Sequence, residues 1–158
     1  MNKIEEQREA YLKLLRLCTK EESNKLILFF FALNDYEGDN LYLTTLNYVM
    51  DYLDEEQVHF IMRLGWKATI EDVVWRVEGS LKNNFDKMIE LPKVEDYPKR
   101  TSISHDNVIQ DFQDALNKIS LQMGFIDTKS DEYIILLYKI EDKVTVESLV
   151  NKIGYNFF

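Results

Sequence analysis

The chain has 158 residues, with 28 acids against 19 lysines and arginines and a net charge of −9. That length suits one domain whose core hides roughly 70% of the extended-chain surface. With 46% apolar residues, 30% charged ones, five glycines and two prolines, composition excludes a disordered or fibrous chain. The acidic balance argues against nucleic acid and anionic membrane as partners, because both are held by clustered lysine and arginine.

From Ile4 to Cys18, apolar residues at Ile4, Tyr11, Leu14, Leu15 and Cys18 form a helical stripe opposite Glu and Arg. The acids of this first stretch stand where a secretion signal needs basic and then apolar residues. Thr19 to Glu22 reads as a capping box that starts a second helix. Leu26 to Leu33 is apolar all round, and a helix with no polar face belongs inside the protein or under a partner. Its eight residues fall short of the about 20 that a membrane span needs. Asn34 to Asn40 is a turn by its Asn, Asp and Gly chemistry. Leu43, Leu46, Met50 and Leu53 then give a third helix.

From Gln57 the period changes to two: Val58, Phe60, Met62 and Leu64 alternate with His59, Ile61 and Arg63. Thr69, with Asp72 three positions on, caps a helix faced by Ile70, Val73, Val74, Val77, Leu81 and Phe85. Lys87 to Leu91 reads as a short strand, and Pro92 to Ser102 as the longest loop. Ser104 opens a helix whose face holds Val108, Ile109, Phe112, Ala115, Leu116 and Ile119, with Gly124 as its left-handed cap. Tyr133 to Ile140, apolar on both faces, is the central strand. Val146, Leu149, Val150 and Ile153 make a last helix capped by Gly154, before a terminal edge strand, Tyr155 to Phe158. The expected fold is α+β or α/β: a helical N-terminal third, then a mixed four- or five-stranded sheet packed against helices in one domain. The Gln57 and Lys87 strands should lie parallel through a right-handed crossover.

Chemistry-bearing motifs are absent: the sequence has no glycine-rich phosphate loop, no His-Glu-x-x-His and no Gly-x-Ser-x-Gly. One cysteine and two distant histidines, His59 and His105, build no usual zinc site, so no metal, cofactor or catalytic residue is expected. Cys18 reads as a small buried hydrophobe and closes no intrachain disulfide, which fits a reducing, cytoplasmic compartment.

The charge pattern is uneven. From Leu26 to Met62 there is no Lys or Arg, while Asp35, Glu37, Asp39, Asp51, Asp54, Glu55 and Glu56 give −7. Gathered outward, these acids would steer a basic protein partner; the plainer alternative is a solvated helix end beside an acidic loop. Asp35-x-Glu37-x-Asp39 has a calcium loop's alternate-oxygen spacing but lacks the glutamate at the twelfth position, where Leu46 stands. Trp66 and Lys67 follow a strand where ligand-facing loops sit, and Asp127 opens an acidic turn to Asp131, so these three could border a pocket at the sheet end. Trp75 lies at the rim of its helix face.

Phe60 to Lys67 followed by Glu71 to Trp75, and Leu121 to Tyr133 with its Asp127-Thr128-Lys129-Ser130-Asp131-Glu132-Tyr133 turn, resemble two segments of an uncharacterised bacterial domain-of-unknown-function family. The resemblance implies a fold and no activity. Gly65 stands where that family suggests an aspartate. The expected function is a cytosolic protein-interaction module, similar to small acidic immunity proteins, binding a basic surface. The alternatives are a small enzyme or ligand binder at the Trp66–Asp127 end, and a homodimer joined through Phe157 and Phe158.

Overall fold

The computed structural model describes residues 2–20 and 24–158. Asn2 accepts the Glu5 amide and Glu5 returns to the Asn2 amide, a capping box that starts α1, Lys3–Cys18. The box expected at Thr19 to Glu22 lies partly outside the described residues; Thr19 itself donates its hydroxyl to the Leu15 carbonyl at 2.7 Å. Then come α2 (Asn24–Phe31) and α3 (Thr45–Glu55), the second capped by Thr44. Leu43 is not on that helix: it sits just before the cap in the left-handed region, φ 69°, and is exposed.

The remaining elements are β1 (Met62–Leu64), α4 (Ile70–Phe85), α5 (Val108–Asn117), β2 (Leu121–Asp127), β3 (Tyr133–Lys139), α6 (Lys143–Lys152) and β4 (Asn156–Phe157). The class is α+β. The sheet order is β1-β3-β2-β4 with every pair antiparallel. Tyr133 to Lys139 holds the centre, as its two apolar faces require.

Alternation along β3 builds two cores. Ile134, Leu136 and Tyr138 pack under α1, α2, α3 and α6, while Ile135 and Leu137 pack with Met62, Leu64, Met123 and Phe125 under α4 and α5. The α4 face is the expected one, and its Thr69–Asp72 capping box is formed.

Four further expectations need correction. The sheet is not mixed, because Lys87 to Leu91 forms no strand and the parallel pair with it is absent. Met88 points to solvent and only Leu91 of that segment is buried, while the Arg63 carbonyl of β1 accepts Arg76 Nη2 at 3.4 Å. Gly124 caps no helix. The chain leaves α5 through Ser120 in the left-handed region, and Gly124 lies mid-β2, where an added Cβ would clash with the Phe157 ring. Finally, Ser104 precedes the helix start by four residues, in a turn where His105 Nδ1 accepts the Ser102 amide at 2.9 Å. The strand expected from Gln57 is also shorter, since Phe60 and Ile61 enter the core before pairing begins.

Candidate functional site

The acidic segment folds onto its own backbone and onto cations on either side of it. Asp39 accepts the amides of Leu41 and Tyr42 at 2.8 Å each, and Asp35 accepts the Glu37 amide at 2.9 Å. Glu37 reaches the Thr45 amide at 3.2 Å. These are turn-building bonds that Asp and Glu make for local reasons. Asp54 is bonded by Arg63 Nε at 3.2 Å and Arg76 Nη2 at 3.1 Å; Asp51 also pairs with Arg63, and Glu56 with Lys25 at 2.8 Å. Three of the seven acids therefore carry a cation, and the anionic patch reduces to the 35–39 loop with exposed Glu55. Among the described residues no group of three or more acids, histidines or cysteines could hold a metal ion.

Beside that loop, α2 turns only part of its apolar surface inward. Leu26 and Phe30 are buried, but Leu28 is 64% and Phe31 69% exposed. One turn apart, they share a face. Between the faces Phe29 stacks flat on Tyr52, ring centres 3.7 Å apart, and Tyr48 stacks on Tyr36 at 3.9 Å. Tyr42 meets Tyr48 edge-on, which carries the aromatic ladder into the loop between exposed Leu41 and Leu43. A hydrogen bond to Tyr36, together with burial, pushes the Tyr48 phenol up to about 12.

At the sheet end, Trp66 and Asp127 line one cleft of about 530 Å³ with Phe125, Asp131, Tyr133 and Phe158. Lys67 does not line it. Its ammonium lies over the Trp66 ring, 4.7 Å from the centroid, and its side chain borders a neighbouring hollow with Trp75 and Arg76. Asp127 is engaged as a turn acceptor for the Lys129 amide at 2.8 Å. Phe157 and Phe158 complete the edge within this chain: β4 pairs with β2, and Phe125 and Phe158 exchange backbone bonds of 2.7 and 2.9 Å.

A family model described as a domain of unknown function, DUF6630, matches residues 6–157. The chain belongs to that family. No curated protein and no solved structure matches it. In this DUF6630 chain His105 Nδ1 accepts the Ser102 amide and lies 2.9 Å from the Ser102 hydroxyl, while His59 packs against Gly79 and the Trp75 edge. Burial holds the Cys18 thiol far above its ordinary value. No described helix of this DUF6630 chain is long and apolar enough to cross a membrane. Sequence reasoning missed how far Leu28, Phe31, Leu41 and Leu43 stay in solvent. The apolar-all-round run was the signal that could have found the first two.

Proposed function

We propose that this chain is a cytoplasmic bacterial protein-interaction module, resembling small acidic immunity proteins in its chemistry. It takes its partner on the outer face of α2 and the 35–43 loop. The observation that carries the reading is Leu28 and Phe31, side by side in water on a helix that is wholly apolar from Leu26 onward. Clustered exposed apolar side chains of this size mark interaction surfaces, and an aromatic at the centre is a usual hot spot. Every charged side chain between Leu26 and Met62 is acidic, so the partner's matching surface is apolar with lysines and arginines around it.

A crosslinker placed at Ala32, on the same exposed face, tests this against cytosol of the source organism. The captured partner should be basic, and should be lost both in the Leu28→Ser, Phe31→Ser variant and on raising salt from about 50 to 500 mM. Both substitutions are at exposed positions, so the fold is kept. Recovery of the same proteins by the variant chain would overturn the proposal.

A further inference from the structure

A further hollow lies away from both the α2 face and the Trp66–Asp127 cleft. It measures about 770 Å³ and opens between the C-terminal ends of α1 and α4 and the chain around Ser120 and Ile140. Among the described residues Arg16, Lys20, Lys87 and Lys139 line it, against a single lining acid, Glu141. Lys20 pairs with Asp86 at its rim. Counting that acid too, the described hollow carries +4 against −2, in a chain whose total is −9.

Helix ends explain only part of this. Arg16 occupies the last turn of α1, where a cation meets the negative end of the helix dipole. Lys139 closes a strand, where no such dipole exists, and Lys87 lies past the end of α4. Three separate elements thus deliver positive charge to one concavity. One part of its wall is apolar: buried Leu121, with half-buried Leu17, Phe85 and Ile119. Ser120 is fixed at the rim by its left-handed turn, with its carbonyl accepting the Ile140 amide at 3.0 Å. The volume lies within the range that binds drug-sized ligands, about 300–1,000 Å³.

We infer that this hollow binds a small organic phosphate, its phosphoryl group held by Lys87, Lys139 and Arg16 and its apolar body laid against Leu17, Phe85 and Leu121. Arginine and lysine are the side chains that recognise phosphate oxygens, by fork and by point charge. The site is independent of the α2 face, so either can fail alone.

Titration of the isotope-labelled chain with phenyl phosphate, inorganic phosphate and benzyl alcohol, followed by amide shifts, separates the two halves of the inference. Phenyl phosphate should move the signals of Leu17, Phe85, Ser120 and Ile140 saturably, with Kd of about 1 mM or below. Inorganic phosphate should act on the same signals more weakly, and benzyl alcohol should not act on them. The Lys87→Gln, Lys139→Gln variant, altered only at exposed positions, should bind phenyl phosphate about tenfold more weakly, with its other amide shifts unchanged. Absence of saturation by about 10 mM phenyl phosphate, equal affinity in the variant, or equal binding of benzyl alcohol would each overturn it.

Discussion

His59 shows how a single side chain couples this fold to pH. Its ring lies so close to α4 that a Cβ on Gly79 would come 2.6 Å from Nε2, which explains a glycine in the middle of a helix where it otherwise costs about 1 kcal/mol. Trp75 meets the ring edge-on at 5.2 Å, and Nδ1 is buried with no hydrogen-bond partner among the described residues. Burial lowers the pKa of His59 below the ordinary value; the Arg76 charge pushes the same way, and Asp54 opposes it. The folded chain therefore binds this proton less readily than the unfolded chain does. The stabilising effect is full above about pH 6.5, the unperturbed histidine value, and is lost as pH falls toward the lowered one. Urea midpoints taken from pH 7.5 down to 5 should fall more steeply for the wild-type chain than for His59→Phe, which keeps the flat ring without the proton. His105 is common to both chains and cancels. Parallel pH profiles would show that His59 does not titrate against folding.

Gly124 and Phe157 set the register between β2 and β4. The Phe157 ring occupies the space above Gly124 and tilts against Tyr138 at 5.6 Å, so β4 docks through a side chain seated on bare backbone. Gly124→Ala should cost about 1–3 kcal/mol in denaturant unfolding. It should also speed amide exchange at Phe125 and Phe158, whose backbone groups bond each other. In a Phe157→Ala background the same change should cost clearly less, since the clash is gone. Equal costs in both backgrounds would mean that the ring does not hold the strand.

These pairs show where the sequence could be read and where it could not. The Thr69–Asp72 box, the α4 face and the two-faced apolar run of β3 are local patterns, and local bonding and alternation decide them. Gly124 carries the same letter as a helix cap, and only Phe157, thirty-three positions later, makes it a strand residue. The Lys87 segment has strand-like letters, but a strand also needs a free neighbour, which is a property of the sheet. Likewise the acids before Met62 were visible as a run, whereas the counter-ions of Asp51 and Asp54 lie on β1 and α4. The cationic hollow was invisible for the same reason: its lysines come from elements far apart in the chain.

Asp54 ties the layers of the whole molecule together. It stands on α3, which packs on one face of the sheet, and its two oxygens hold Arg63 of edge strand β1 and Arg76 of α4, which packs on the other face. Arg76 is nearly buried at 9% exposure, its guanidinium lying 4.7 Å from the Trp75 ring centre and bonded to the Arg63 carbonyl. A charge so placed needs its counter-charge, because water reaches it poorly. Asp54→Asn would leave two arginines facing each other with only exposed Asp51 between them and solvent. The expected loss is about 1–3 kcal/mol, partly recovered by salt, which screens the remaining repulsion. Removing the buried cation as well, in Asp54→Asn with Arg76→Met, should restore part of the loss, since an apolar chain of similar length needs no counter-charge. Urea unfolding of the three chains at low and high salt measures all of this. If Asp54→Asn costs nothing, or the double variant is the less stable one, the two helical layers are joined by apolar packing through the sheet alone.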